Sequence, residues 1–426
     1  MIIKPRGTMD IMPEETPLWQ YVENKAREIS SLYGFGEIRF PTFEQTELFA
    51  RGVGDTTDVV QKEMYTFFDK DNRSMTLRPE GTASIARSIV ENGRCSDAMP
   101  LKLYYLISCF RYEKPASGRY REFYQYGVEM YGSESACSDA SVIALADAYV
   151  KALGISDYSL EINSIGCKEC RPAYKKALTE YYQSNYDVLC DTCKGRLKTN
   201  PLRILDCKCP QCASLAKDAP KTLDFLCEGC REHMQTVQDS LEEMGVAYKI
   251  DTGIVRGLDY YTKTVFEIIG PGEPDKDGNV RRLALGGGGR YDGLVQEIGG
   301  PRLPGVGFAM GLSRLIIALQ MSGIELPKKP APVLYIASLG KNAQTKALSV
   351  VQKLRHDGIY AESDLVGRSL KAQMKYADKI RAEYTAIIGD DEIEKGKAIL
   401  RNMNNGEQTE LEISALAEFF TKGGIK

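Results

Sequence analysis

Residues 110–129 read FRYEKPASGRYREFYQYGVE, a pattern of strand, polar turn and strand. The strand entering the turn, LKLYYLISCF over 101–110, delivers Arg111 at its end. The loop Glu113-Lys114-Pro115-Ala116-Ser117-Gly118 reverses the chain with the proline and glycine that turns favour. Along the outgoing strand, side chains alternate faces with a period of two. Glu122, Tyr124, Tyr126, Val128 and Met130 share a face that reads mostly as core. Arg121, Phe123, Gln125, Gly127 and Glu129 share the other. An amide, a glycine and a carboxylate on one face make a poor core and a good floor for a polar substrate. A half-exposed antiparallel hairpin would also show one polar face, so alternation alone does not choose between the two.

The chain around this hairpin has 426 residues, too many for one ordinary core, so two or three domains are expected. Its 43% hydrophobic and 27% charged residues describe a water-soluble globular protein. No stretch reads as a membrane span, and the opening MIIKPRGTMDIMPEE lacks the apolar run of a signal peptide. Most of the twelve cysteines crowd into one segment, as suits a reducing compartment, and a cytoplasmic location is expected. A formal net charge of −3 gives no sign of a nucleic-acid partner, so any such partner must be held by local basic surface. The two histidines, His233 and His356, stand in no nucleophile-like context, which argues against a Ser-His or Cys-His mechanism.

Up to residue 165, helical periodicities such as ETPLWQYVENKAREISSLYGF, GTASIARSIVEN and SDASVIALADAYVKALG alternate with strands. Residues 166–230 change character, with cysteine pairs and little strand pattern, and read as an insertion within a domain spanning 1–327. The helical EHMQTVQDSLEEMG then leads back to strands at 247–251 and 258–268 and to a glycine run. KKPAP at 328–332 is a linker, and 331–426 alternate strands and helices as in a small α/β domain.

Six further stretches supply a resemblance: KPRGTMDIMPEE at 4–15, RFPTFEQTELFARGVGDTTDVVQKEMYTF at 39–67, TLRPEGT at 76–82, VRGLDYYTKTVFE at 255–267, ALGGGGRYDGL at 284–294 and GFAMGLSRL at 307–315. With them the hairpin resembles motif 2 of class II aminoacyl-tRNA synthetases, in the form carried by the histidyl-tRNA synthetase family. The resemblance runs nearly end to end. It implies an α+β fold: a class II catalytic domain with a central antiparallel sheet flanked by helices, the cysteine-rich insertion, and a C-terminal α/β anticodon-binding domain. It implies L-histidine, ATP, Mg2+ and tRNA(His) as substrates and partners. It also implies a homodimer, whose interface in class II enzymes is built by motif 1, here RFPTFEQTELFARG with Pro41 in the motif's proline position; an amphipathic core helix explains that stretch almost as well.

The chemistry implied is attack of a carboxylate on the α-phosphate of ATP, which depends on positioning and charge neutralisation. By the resemblance, Arg111 holds the α-phosphate, Arg119 reaches the phosphates from the loop, and Arg314 lies near the γ-phosphate. Guanidinium suits these tasks because its planar fork stays charged and pairs phosphate oxygens bidentately. Ser313 stands where the motif often has an acid. Arg256 matches the arginine that approaches both the α-phosphate and the substrate carboxylate. Glu80 and Thr82 resemble the pair that receives the α-ammonium group, and Gln125 addresses the amino and carboxylate groups. Glu129 and Tyr261 complement the imidazole, which needs a partner on each nitrogen; Tyr260 lies beside them, where core packing competes as its role. A site bonding both nitrogens rejects isosteres by as much as about 10⁴, so editing need not be invoked.

Gly286 to Gly289 fit neither a Walker nor a dinucleotide loop; by the resemblance they give substrate a surface without Cβ atoms. Cys190-x2-Cys193-x15-Cys209-x2-Cys212 has zinc-ribbon spacing, with Cys207 spare, and a structural Zn2+ could replace the core that a short insertion lacks. Cys167/Cys170 and Cys227/Cys230 form a second such set. Related insertions fold without most of these thiols. The insertion carries eleven Lys or Arg against eight Asp or Glu, which permits tRNA contact. The main alternative is a catalytically silent paralogue acting as a regulatory subunit of ATP phosphoribosyltransferase. Arg111, Arg256, Arg314 and residues 331–426 stand against it, because such paralogues lose these features.

Overall fold

A computed structural model describes residues 1–54, 57–205, 207, 209–254, 258–274 and 280–422. Arg256 lies outside them. The chain forms two compact units, 1–327 and 328–426.

In the first unit the strands are β1 (Gly36–Glu37), β2 (Phe43–Gln45), β3 (Tyr65–Phe68), β4 (Ser74–Leu77), β5 (Leu101–Phe110), β6 (Glu122–Tyr131), β7 (Ser159–Ser164), β8 (Lys249–Ile250), β9 (Thr262–Pro274), β10 (Val280–Arg290) and β11 (Gly305–Gly311). Eight of them make one sheet in the order β1-β5-β6-β11-β10-β9-β7-β8. From β5 to β7 every pairing is antiparallel, and the two-residue strands β1 and β8 add parallel edges. The opening hairpin is β5 and β6, in register from Leu101 opposite Tyr131 to Phe110 opposite Glu122. β2, β4 and β3 form a separate three-stranded sheet.

The helices of this unit are α1 (Thr16–Leu32), α2 (Thr46–Val53), α3 (Thr82–Glu91), α4 (Ala136–Ala152), α5 (Arg171–Ser184), α6 (Asp191–Thr199), α7 (Pro210–Lys217), α8 (Glu228–Glu243), α9 (Leu294–Glu297) and α10 (Leu312–Met321). α1 begins with proline in its first turn, buries Leu18, Trp19, Val22, Ala26 and Ile29 on one stripe, and is followed by Gly34 at φ +75°. α4 is capped by the Ser135 hydroxyl, which accepts the Cys137 N–H at 3.2 Å. It is apolar nearly all round because α1, α8 and the sheet all pack on it.

The two sheet faces carry different cores. On one, Tyr126, Val128 and Met130 of β6 pack with α1, α4, α8 and α10. On the other, Tyr105, Tyr131, Tyr260, Tyr261 and Tyr291 pack with α3 and α9, and this tyrosine-rich face bears the site. The alternation read in β6 is therefore a division between an apolar core and a polar floor.

The insertion keeps a small hydrophobic core of its own, with Tyr174, Leu178, Tyr182, Leu189, Leu197 and Ile204 buried. It thus does not lack one, contrary to the expectation from its length. In the second unit, β12 (Leu334–Ser338), β13 (Ala361–Ser363), β14 (Tyr384–Ile388), β15 (Lys397–Asn402) and β16 (Gln408–Glu412) order as β13-β12-β14-β15-β16. The first three pair in parallel and the last two add an antiparallel hairpin. Helix Lys341–His356 packs on this sheet through Ala343, Ala347, Val351 and Leu354.

Candidate active site

A cavity of about 380 Å³ opens on the tyrosine-rich face of the large sheet. Glu80, Thr82, Arg111, Arg119, Gln125, Tyr260, Tyr261 and Arg314 line it, residues drawn from stretches more than two hundred positions apart. Gly286, Gly287 and Ser313 lie in the same wall.

One end is cationic. β5 ends at Phe110, so Arg111 leaves the sheet edge, where its Nε donates to the Pro79 carbonyl at 2.8 Å and its guanidinium lies 5.4 Å from the Phe123 ring centre. Arg119 pairs with Glu113 across the loop at 3.0 Å. Arg314, in the first turn of α10, donates to the Ala284 carbonyl at 2.7 Å and to the Gly118 carbonyl at 3.4 Å. Burial first, and then the Arg119 charge, push the Arg314 guanidinium below its usual range, with Glu113 opposing and Arg111 adding to the effect. Three guanidinium groups share this end, so an anion placed among them relieves repulsion and gains charge-assisted bonds of about 1.5–3 kcal/mol each. The exposed Arg119–Glu113 pair is worth at most about 1 kcal/mol and yields readily to such a ligand.

The other part of the cavity is built on carboxyl groups and is deeply enclosed. The Glu80 carboxylate accepts the N–H groups of Thr82 at 2.7 Å and Ala83 at 2.9 Å, so it caps α3 as well as facing the cavity. Burial pushes Glu80 up, while those two N–H groups pull it back. Glu129 is 1% exposed and lies beneath the cavity wall. Its carboxylate accepts the Thr82 hydroxyl at 2.7 Å, the Tyr105 hydroxyl at 3.5 Å and the Tyr291 hydroxyl. Burial pushes its carboxyl up to about 8 despite these donors. A Cβ on Gly307 would come within 2.0 Å of a Glu129 oxygen, so only glycine leaves room for the carboxylate there. Gln125 accepts the Cys109 thiol at 3.3 Å. Tyr260 stacks between Tyr261, at 4.6 Å between ring centres, and Tyr291, at 5.5 Å.

Tyr105 and Tyr291 were missed in the sequence. Their signals were faint: the period of two puts Tyr105 on the polar face of β5, and Tyr291 directly follows the glycine run. That run packs more tightly than a flexible turn. A Cβ on Gly288 would meet the Gly307 carbonyl of the neighbouring strand at 1.9 Å. Gly286 and Gly287 also line the cavity, so the segment both packs closely on its neighbour strand and faces open space. Arg290, just after it, is fully buried and donates to Asp139, Asp292 and the Ser133 carbonyl, while His233 bonds Asp139 at 2.7 Å. That histidine is thus tied into a structural network, 8% exposed at its side chain.

Two groups of four cysteines could hold a metal ion. One is Cys190, Cys193, Cys207 and Cys212, which corrects the spacing-based set: Cys207 takes the place expected for Cys209. A four-coordinate group has room for one of the two. Cys207 lies with its sulfur 3.9 Å from that of Cys190, whereas Cys209 is the residue before α7 and its carbonyl takes the Ala213 N–H at 2.9 Å. N–H donation from Cys193 holds the Cys190 thiol down to about 7. The other group, Cys167, Cys170, Cys227 and Cys230, sits where the chain enters and leaves the insertion. All twelve cysteines are free thiols.

An antiparallel sheet presenting arginines at one end of a cavity and buried carboxylates at the other, with its motifs in this order, is the catalytic unit of a class II aminoacyl-tRNA synthetase. The family model described as histidyl-tRNA synthetase matches residues 7–185 and 202–315, and that of the anticodon binding domain matches 334–423. The chain is 52% identical to the histidine–tRNA ligase of Caldicellulosiruptor bescii over 415 residues, 97% of each chain. It is 50% identical to that of Acetivibrio thermocellus over 412 residues, again 97% of each. Its fold matches the crystal structure of apo S. aureus histidyl-tRNA synthetase with a TM-score of 0.82 at 39% identity, covering 99% of this chain and all of that one. The chain belongs to the histidyl-tRNA synthetase family.

Proposed function

We propose that the chain activates L-histidine with ATP to give histidyl-adenylate and pyrophosphate, then transfers histidine to the 3′ end of tRNA(His). The observation that carries this reading is one cavity lined by Arg111, Arg119 and Arg314 and by Glu80 and Thr82, with Glu129 behind Thr82. The ammonium group of histidine meets Glu80 and the Thr82 hydroxyl, and Gln125 turns the carboxylate towards the phosphates. The imidazole lies against Tyr261 and the hydroxyl floor of Thr82, Tyr105 and Tyr291 that Glu129 holds in place. A carboxylate oxygen of histidine bonds to the α-phosphorus as the bond to pyrophosphate breaks. Arg111 carries the α-phosphate, Arg119 and Arg314 the outer phosphates. In transfer, the tRNA hydroxyl attacks the acyl carbon, AMP leaves, and a phosphate oxygen takes up the proton.

Mg2+ takes oxygen ligands from carboxylates and substrate phosphates. Glu113 and Glu267, in the cavity wall with the arginines, would share it with ATP. A structural Zn2+ suits Cys190, Cys193, Cys207 and Cys212. Residues 328–426 bind the anticodon arm, and the exposed Phe43, Phe67 and Phe68 of the small sheet suit a homodimer interface in the cytoplasm.

Histidine-dependent ATP–pyrophosphate exchange followed by charging of tRNA tests the reading. Exchange driven by another amino acid, or by none, would sink it. Arg256→Ala is expected to slow adenylate formation by roughly 10²–10³ while sparing ATP affinity; single-turnover activation at the unmodified rate would remove Arg256 from the chemistry.

A further inference from the structure

We propose that Cys167, Cys170, Cys227 and Cys230 bind a Zn2+ ion at the neck of the insertion, and that this ion holds Tyr261 in the histidine pocket. The second part rests on the reading of Tyr261 as a pocket wall; the first stands without it.

The geometry points to a metal rather than a disulfide. Zn–S bonds of about 2.3 Å in a tetrahedron separate sulfurs by roughly 3.8 Å. The Cys167 sulfur lies 3.8 Å from that of Cys170 and 3.8 Å from that of Cys227, and all four sulfurs fall within 4.8 Å of one another. Each pair has the Cys-x2-Cys spacing of a zinc knuckle and lies at a helix start: Cys167 and Cys170 precede α5, and Cys227 precedes α8 with Cys230 in its first turn. Cys170 and Cys230 are 2% exposed. The Cys227 N–H donates to the Cys170 sulfur at 3.1 Å, as a ligand thiolate accepts from its surroundings. Among the described residues, the hydrophobic cluster at the junction adds to these thiols only Leu226 and the partly buried Leu223, little to fasten two chain segments. The four thiols lose their protons to solvent as the metal binds.

The neck is also bonded to the pocket. The Gly166 carbonyl, next to Cys167, accepts the Lys263 N–H at 2.9 Å and the Thr262 hydroxyl at 3.2 Å. The Arg171 guanidinium, next to Cys170, donates to the Tyr261 carbonyl. Three successive residues, Tyr261 to Lys263, are thus held by groups adjacent to two of the ligands. On the other side, three residues past Cys230, His233 enters the Asp139–Arg290 network, where Asp139 also accepts the Thr264 hydroxyl at 2.6 Å. Both arms of the knuckle therefore reach the start of β9. Cys167 and its neighbours act as positioning residues and touch no substrate.

Metal analysis of the full-length protein, purified from zinc-containing medium without chelators, is expected to give two Zn2+ per chain. Cys167→Ser with Cys230→Ser is expected to lose one, and Cys190→Ser with Cys212→Ser the other. The neck variant should raise KM for histidine in ATP–pyrophosphate exchange by roughly tenfold, within the cost of a misplacement of about 1 Å, with KM for ATP unchanged. Cys167→His, which keeps a zinc ligand, should restore both metal and KM. One Zn2+ or none in the unmodified protein with the neck thiols freely alkylated, iron in their place, or a disulfide between them would overturn the neck site. Loss of the neck metal with unchanged KM for histidine would overturn its link to Tyr261. If exchange is absent from the unmodified protein, the proposed activity fails while the metal count still judges the site.

Discussion

Glu129 shows how burial beside a cavity changes one side chain. Its strand position was legible in the alternation of β6, but its environment was not: three hydroxyls from Thr82, Tyr105 and Tyr291 converge on it from separate stretches. With its folded pKa raised to about 8, the folded protein holds a proton there that the unfolded chain releases near the ordinary carboxylate value. The unfolded state binds fewer protons in that window, so the contribution of Glu129 to stability is fully present at acid pH and is lost as pH rises from about 4.5 to about 8. Glu129→Gln should flatten this slope, as measured by urea midpoints across the window. Equal slopes in both proteins would mean that the carboxyl ionises normally. The same substitution should cost histidine affinity more than ATP affinity, because the amide puts an N–H2 group where a carboxyl oxygen accepted a floor hydroxyl.

Among the elements, the cysteine-bearing helices separate what spacing can tell from what packing decides. Two residues apart, Cys207 and Cys209 are rivals for one place, and the structure groups Cys207 with Cys190, Cys193 and Cys212 where regular motif spacing pointed to Cys209. If the distal group binds zinc, Cys207→Ser should release it and Cys209→Ser should not; metal content of the two purified variants checks this, and the reverse result would restore the spacing-based set. α3 carries a parallel lesson. Its periodicity was evident over 81–92, but not that Glu80, a residue also expected to meet the substrate, accepts the first N–H groups of the helix. One carboxyl group therefore serves a helix end and faces the cavity. In the second unit the strand-and-helix alternation was readable, whereas β15 and β16 were not. They are a half-exposed hairpin whose polar positions and short length look like loop.

The two compact units, each with its own core, allow the two proposed steps to be separated. A chain ending at Pro327 keeps every described residue of the cavity. It should retain histidine-dependent ATP–pyrophosphate exchange near the full-length rate. Charging of tRNA should fall by roughly 10²-fold, as expected when one of two linked binding surfaces is removed. Equal charging by both chains would assign tRNA recognition to the catalytic unit and its insertion alone.

Local pattern carried the strand–turn–strand of residues 110–129, most helices, the insertion, and the motifs that point to an amino-acid-activating enzyme. These are features of neighbouring residues, written in periods of two and 3.6 and in the residue types that phosphate and ammonium groups require. Pattern could not reveal that Glu129 lies under three hydroxyls, that Glu80 also caps a helix, or that Cys207 displaces Cys209. Nor could it reveal that the insertion's neck is bonded to Tyr261 and the two residues after it. Those facts depend on which distant segments become neighbours, and burial and steric room settle them when the sheet and its helices close on one another.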